Sequence, residues 1–237
     1  MANQFFRFKQ FTVHQEGCAM KVCTDACLQG AYTASYITEA NSILDIGAGT
    51  GLLSLMLAQQ FNKANITAIE LDEAAAAQAA RNIAAAPWAT QLNVINSDVR
   101  TLSLASKYDL IITNPPFYET DLKSPDKLRN QAMHATTLGY EELLAVIDQH
   151  LTAAGVFSVL LPYKPFATFE VLATQKGFFA RKVLHVKQSV HHDRFRTIAI
   201  FGRSATVRDE ETMAIKEADN DYTPAFRALL QPYYLYL

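Results

Sequence analysis

Short apolar runs alternate with helix-forming stretches from Ser42 to Phe201, and this alternation restricts the fold more than any other feature of the chain. The runs at 43–46 and 66–70, for example, are each followed by a stretch with helical character. Strands that are separated by helices form parallel sheets with helices on both faces. The sequence therefore predicts an α/β fold.

Residues 1–40 lack the alternation and mix aromatic with basic side chains. We interpret them as an arm, a short hairpin followed by a helix near 25–37, that packs on a second unit formed by residues 41–237. The chain has 237 residues, of which 50% are hydrophobic. This length and composition fit one α/β domain with a sizeable core.

Composition also indicates the cellular compartment and the kinds of partner that we expect for the protein. The sequence has no run of eighteen apolar residues and its start has no signal-peptide core, so we expect neither a membrane span nor secretion. Three cysteines form an odd set and suggest reduced thiols in a cytoplasmic protein. The formal net charge of -2 produces no overall attraction to nucleic acid, so a polyanion site must come from local clustering.

A glycine-rich loop follows the apolar run 43–46 and contains Gly47, Gly49 and Gly51. Glycine lets the backbone turn tightly and approach a ligand closely. In an open parallel sheet, ligands bind where strands end at their carboxyl termini. Glu70 ends the next strand, roughly twenty residues on, where an acid can accept the ribose hydroxyls of a nucleoside. The alternative is a structural turn with a solvated glutamate.

The spacing of the glycines indicates which cofactor fits. NAD-binding loops have the pattern G-x-G-x-x-G, whereas this loop has G-x-G-x-G with Asp45 two residues before its first glycine. A carboxylate there would repel a pyrophosphate but could receive an ammonium. S-adenosylmethionine carries an ammonium and a sulfonium and has no phosphate, so the pattern favours it. Asp98 could accept from the adenine amino group, or could instead be a cap or turn residue.

A stiff turn, Asn114-Pro115-Pro116-Phe117, follows the apolar run 109–113. The prolines fix φ, and the first also pushes Asn114 toward extended backbone. The Asn114 side-chain oxygen and the Pro115 carbonyl could accept both hydrogens of a planar NH2 group and turn its lone pair toward a sulfonium methyl. Phe117 would stack on the ring that bears this group. The alternative is a strand-ending turn whose ring fills the core.

These motifs together resemble class I S-adenosylmethionine-dependent methyltransferases that act on nitrogen. The resemblance covers residues 42–202 and implies a Rossmann-like, seven-stranded, mostly parallel sheet whose last strand is antiparallel. Segments 8–11, 18–25 and 222–226 are similar to bacterial tRNA1(Val) (adenine-37-N6)-methyltransferases. This closer resemblance spans nearly the whole chain. It implies methylation of the adenosine beside the anticodon of valine tRNA, with the tRNA anticodon arm as partner.

Three residues of the arm could close over the cofactor if the arm folds back, namely Lys21, Thr24 and Asp25. Capping of the following helix by Thr24 or Asp25 is the alternative. Four side chains of metal-binding type also lie in this region: His14, Cys18, Cys23 and Cys27. Their spacing does not match the paired C-x2-C pattern of common zinc sites, so no metal is predicted.

Basic residues cluster in two segments. The larger contains Lys176, Arg181, Lys182, Lys187, Arg194, Arg196, Arg203 and Arg208. The smaller, near the Asn-Pro-Pro turn, contains Lys123, Lys127 and Arg129. Such runs are often only solvated surface, but two clusters near the expected substrate face predict contacts with a tRNA backbone.

Other functions fit parts of the same pattern. Guanine-N2 methyltransferases of ribosomal RNA and glutamine methyltransferases of release factors would present a planar NH2 group to the same acceptors. A nucleotide-binding or RNA-binding module without catalysis would share the fold. It is disfavoured because a binding module has no need of Asn114 facing the cofactor crevice.

Overall fold

A computed structural model describes residues 4–16, 21–104, 106–115 and 138–237. These ranges contain ten strands. They are β1 (Phe5–Arg7), β2 (Thr12–His14), β3 (Ser42–Ile46), β4 (Asn65–Glu70), β5 (Leu92–Asn96), β6 (Tyr108–Thr113), β7 (Leu151–Pro162), β8 (Phe179–Ser189), β9 (Arg194–Gly202) and β10 (Asp209–Lys216). Strands β1 and β2 form a separate antiparallel hairpin, and the other eight form one sheet.

The eight-stranded sheet has the order β10-β8-β9-β7-β6-β3-β4-β5. Strand β9 is antiparallel to both of its neighbours, β7 and β8, and the remaining pairs are parallel. The predicted mostly parallel sheet is confirmed, but its antiparallel strand is β9, which β10 follows in the chain, and is not the last strand. The predicted number of seven strands is wrong, because β10 adds an eighth strand beside β8. Its first residues are charged and exposed, so they lack the apolar pattern of the other strands.

Helices cover both faces of the sheet, as predicted. The described residues form α1 (Thr24–Tyr36), α2 (Leu52–Gln60), α3 (Glu73–Ala84), α4 (Tyr140–His150), α5 (Tyr163–Gln175) and α6 (Pro224–Leu230). Helices α1, α2, α3 and α6 share one apolar cluster with the hairpin, whereas α4 and α5 belong to the cluster on the other face. None of these helices has the length and hydropathy needed to cross a membrane.

The arm packs against the end of the chain. Phe8 follows the first strand of the hairpin, stacks on Phe11 with ring centroids 4.5 Å apart, and forms a backbone bridge with Tyr234. The Lys9 amide donates to the Tyr233 carbonyl. The predicted hairpin and helix are therefore present, and they share a hydrophobic core with the main sheet.

The register of the strands brings distant segments to one end of the sheet. Ile46 at the end of β3 is aligned with Ile69 of β4 and with Thr113 of β6. We call this end, where β3, β4 and β6 finish, the carboxyl end of the sheet. Because β8 is parallel to β7, the turn between Lys187 and Arg194 also lies there. The opposite end is the amino end.

Candidate active site

A cavity of about 320 Å³ opens at the carboxyl end of the sheet. Its walls include five segments that are far apart in sequence: residues 21–23, 47–50, 70–72, 97–100 and 113–115. The glycine loop, the acid that ends β4 and the Asn-Pro turn thus face one another across a single space. This is the arrangement expected where ligands bind in open α/β sheets.

All three loop glycines have left-handed backbone, with φ of 75° at Gly47, 55° at Gly49 and 81° at Gly51. A side chain would be strained at each position. A Cβ added at Gly47 or Gly49 would meet nothing within 4 Å, and both residues line the cavity. At Gly51 it would lie 3.4 Å from the Cβ of Ala79 on α3. Gly51 therefore packs against α3 and is not among the residues that line the cavity, and its contact with the cofactor stays a prediction.

Glu70 lines the cavity and braces the loops around it. One carboxylate oxygen accepts from the Gly49 amide at 2.8 Å, and the other accepts from the Asp72 amide at 2.9 Å. Each carboxylate oxygen can accept more than one hydrogen bond. The side chain can therefore hold the glycine loop and still receive two hydroxyl groups.

Asp45 lies beneath the loop and does not line the cavity. Its Oδ2 accepts from the amide and the hydroxyl of Ser54, at 3.1 and 2.7 Å, which fixes the first turn of α2. Oδ1 is buried and has no partner within the described ranges. Burial raises the pKa of Asp45 to about 7, in spite of the bonds from Ser54. A direct contact with a cofactor ammonium is not supported; Asp45 supports the loop from below.

We expect Asp45→Asn to remove a pH dependence from the stability of the cofactor-free protein. The folded pKa lies above the ordinary 3.8, so the stabilising contribution of Asp45 is complete below that value and is lost as pH rises toward 7. This contribution to the free energy of unfolding is on the order of 1.4 kcal/mol for each unit by which the folded pKa is raised. Urea unfolding at pH 5 and pH 8 measures it. Equal pH slopes in wild type and variant would contradict this assignment.

Asp98 lines the cavity within a tight turn. It forms an ion pair with Arg100, at 2.6 Å between Oδ2 and Nη2, and Oδ1 accepts from the Arg100 amide at 2.9 Å. Hydrogen bonding from the Arg100 side chain lowers the pKa of Asp98. The alternative role as a turn residue is thus present in the structure. The contact with adenine stays a prediction that this position allows.

Asn114 follows β6 directly, and its side-chain oxygen is buried at the cavity. No donor in the described part of the chain reaches that oxygen. A buried acceptor without a hydrogen-bond partner is energetically unfavourable. A ligand NH2 group that donates to this oxygen would remove the penalty. Pro115 also lines the cavity. Phe117, Cys18 and the smaller basic segment with Lys123, Lys127 and Arg129 lie outside the described residues.

The arm forms one side of the cavity. Lys21, Val22 and Cys23 line it, whereas Thr24 does not. The contacts of Lys21 and Thr24 with the cofactor stay predictions. The cap position of α1 is Cys23, without a side-chain bond, so capping by Thr24 or Asp25 is wrong. Asp25 instead accepts from Arg196 Nε at 2.9 Å. Sequence reasoning missed Val22 because an apolar side chain in a loop carries no motif.

The thiols of the described arm are protonated groups. Burial raises the pKa of Cys23 and of Cys27 to about 12. A thiolate is the form that binds metals or attacks substrates, so neither thiol is activated. Within the described ranges, no group of three or more His, Cys, Asp or Glu side chains is placed to hold a metal ion.

Two solved structures of methyltransferases share this architecture. A predicted O-methyltransferase of Agrobacterium tumefaciens matches 88% of this chain and 96% of its own, with a TM-score of 0.67 and 18% identity. The glycopeptide N-methyltransferase MtfA in complex with S-adenosylmethionine matches 75% of this chain and 87% of its own, with a TM-score of 0.55 and 13% identity. At these identities the likeness concerns the fold, which is the Rossmann-like fold of class I methyltransferases.

Sequence comparisons identify the family. Residues 30–182 match the family described as Methyltransferase small domain. A relative from Dyadobacter fermentans is 41% identical over 98% of both chains, and one from Bacteroides thetaiotaomicron is 38% identical over 100% of both. Both are named tRNA1(Val) (adenine(37)-N6)-methyltransferase. The chain belongs to this family of methyltransferases.

Proposed function

We propose that this chain transfers the methyl group of S-adenosylmethionine to N6 of adenosine 37 in tRNA1(Val). The observation that carries the proposal is the buried Asn114 oxygen, which has no hydrogen-bond partner among the described residues and shares one cavity with the glycine loop and Glu70. The names of the relatives support the substrate, and they favour adenosine over the guanine and glutamine alternatives.

S-adenosylmethionine supplies an activated methyl group when it is bound. Glu70 would accept the ribose hydroxyls, and the open backbone at Gly47 and Gly49 would admit the methionine part at close range. Asp98 would accept from the adenine amino group of the cofactor. Lys21 would cover the cofactor from the side of the arm.

Asn114 and Pro115 act on the substrate. An aromatic amine is a poor nucleophile because its lone pair is delocalised into the ring. Two acceptors that bind both of its hydrogens orient that lone pair toward the methyl group, and such positioning can contribute roughly 7–11 kcal/mol. The amine proton leaves after transfer, so the step needs no general base beforehand. Phe117 would stack on the target base.

The assignment can be tested with methyl-labelled cofactor and three separate pools: unmodified tRNA, ribosomal RNA and release factor. We expect label in tRNA only, and mass spectrometry should identify N6-methyladenosine at position 37. Methylguanosine in ribosomal RNA or methylglutamine in release factor would establish one of the alternatives. If none of the three pools is methylated, a binding module without catalysis is favoured.

The larger basic segment divides into two parts at opposite ends of the sheet. At the amino end, acids neutralise Lys182, Arg203 and Arg208, which pair with Asp209, Asp148 and Glu170 respectively. At the carboxyl end, Lys187 Nζ donates to a backbone carbonyl and Arg194 lies over the ring of Tyr163. We therefore propose that only the turn 187–194, the basic rim, contacts the tRNA backbone.

Charge reversal in the basic rim is expected to raise KM for tRNA about threefold to tenfold and to flatten its salt dependence, with turnover at saturation retained. Phosphate contacts contribute affinity that falls as salt rises. Lys187→Glu and Arg194→Glu test the rim, and methyl transfer to one transcript across a salt series is the assay. Lys176→Glu is the matched control, because Lys176 is exposed beyond α5 at the amino end. An equal effect at Lys176 would contradict a local rim.

We further propose that residues 1–40 act as an arm on the methyltransferase unit formed by residues 41–237. The arm packs into the same apolar cluster as α2 and supplies Lys21 to the cavity wall. A tRNA substrate also makes the cytoplasm the expected location of the protein.

A further inference from the structure

Gln29 is a fully buried polar residue on α1 that contacts the strand leading into the Asn-Pro turn. Its Nε2 donates to the Thr113 carbonyl at 2.9 Å, with longer contacts of 3.4 Å to the carbonyl and hydroxyl of Ser158 on β7. Thr113 is the last residue of β6 and directly precedes Asn114. The peptide group that Gln29 binds is therefore the one that joins β6 to Asn114.

The side chain of Thr113 makes a second connection. Its hydroxyl donates to the Ile46 carbonyl at 3.0 Å and is buried. Ile46 directly precedes Gly47, where the cofactor loop begins. Thr113 thus links the substrate turn to the cofactor loop through its hydroxyl, while Gln29 holds its carbonyl.

We infer that Gln29 and Thr113 are positioning residues for methyl transfer, an assignment that rests on the proposed function. Gln29 fixes the peptide plane before Asn114, and Pro115 restricts Asn114 to extended backbone from the other side. The backbone of Asn114 therefore has little conformational freedom, and this restricts the position of its side-chain amide. Because Thr113 also holds Ile46, the amide keeps a set position relative to the loop that carries the cofactor. A displacement of about 1 Å can lower a rate about 100-fold.

Gln29→Met tests the first contact, since methionine keeps the length of the side chain and removes its amide. We expect turnover to fall about tenfold to 100-fold. The cofactor Kd and the KM for tRNA should stay within about threefold, because neither is bound by Gln29 in this scheme.

Thr33→Val is the matched control. Thr33 lies one turn further along α1, is buried, and donates to the Ser158 hydroxyl at 2.7 Å. The valine removes a buried hydrogen bond between the same helix and the sheet, to a hydroxyl that Gln29 contacts only at 3.4 Å, and leaves the bond from Gln29 to the Thr113 carbonyl in place. At Thr113, valine should lower turnover and serine, which keeps the hydroxyl, should restore it.

Hydrogen–deuterium exchange supplies a readout that does not depend on tRNA. Peptides that contain Asn114 or Gly47 should exchange faster in Gln29→Met than in Thr33→Val, with cofactor bound in both. Equal exchange in the two variants, or turnover that falls only in proportion to lost stability, would overturn the inference. Failure of the wild type to methylate tRNA would instead refute the proposed function, and the exchange difference would still decide the role of Gln29.

Discussion

Replacement of Asn114 by alanine is expected to lower turnover by about 10²–10³-fold, the scale observed when an enzyme loses one preorganised hydrogen-bonding group. The oxygen of Asn114 is buried at the cavity and has no partner among the described residues, so we propose that it accepts from a ligand. If that ligand is the reacting amine, the loss belongs to the chemical step. Affinity for S-adenosylmethionine should change less than about threefold.

Turnover at saturating tRNA and calorimetric titration of the cofactor separate the two effects. Asn93→Ala is the matched control, because Asn93 is an exposed residue of β5. It should leave both quantities unchanged. Turnover of Asn114→Ala within tenfold of wild type would mean that Asn114 is structural, and the amine would then need another pair of acceptors.

Much of the fold follows from local sequence pattern. Helix α1, for example, differs from its predicted limits of 25–37 by one residue at each end. Strand β10 and helix α6 were not predicted. Strand β10 begins with Asp209, Glu210 and Glu211, which are exposed, and it exists because it pairs with β8. Pairing with a strand distant in sequence leaves no local signal.

In the candidate site, too, some residues can be predicted from local motifs and others depend on how distant segments pack. Glycine at 47 and 49 and the acid at 70 follow from motif spacing, and all three line the cavity. The burial of Asp45 does not follow from the motif, because spacing does not say how deeply a strand residue is buried; here Asp45 accepts from Ser54 of α2. Likewise, the basic segment is continuous in sequence, but its residues lie at both ends of the sheet.

The second large effect is expected at Glu70, where alanine should weaken binding of S-adenosylmethionine by about 10²–10³-fold. Hydrogen bonds to a charged group contribute about 1.5–3 kcal/mol each, and Glu70 would accept both ribose hydroxyls. Its removal also frees the amides of Gly49 and Asp72, which it now holds. Glu70→Gln keeps an acceptor and loses the charge, so its cofactor affinity should lie between those of wild type and Glu70→Ala.

Calorimetry with S-adenosylmethionine and with NAD decides whether this carboxylate recognises the expected cofactor. Glu73→Ala is the control, because Glu73 is an exposed acid in the first turn of α3 and does not line the cavity. The short glycine spacing still disfavours NAD, whereas repulsion by Asp45 no longer does, since Asp45 is buried away from the cavity. We therefore expect no NAD binding in any variant. Tight NAD binding, with Glu70→Ala leaving S-adenosylmethionine affinity unchanged, would place the cofactor elsewhere and remove Glu70 from its recognition.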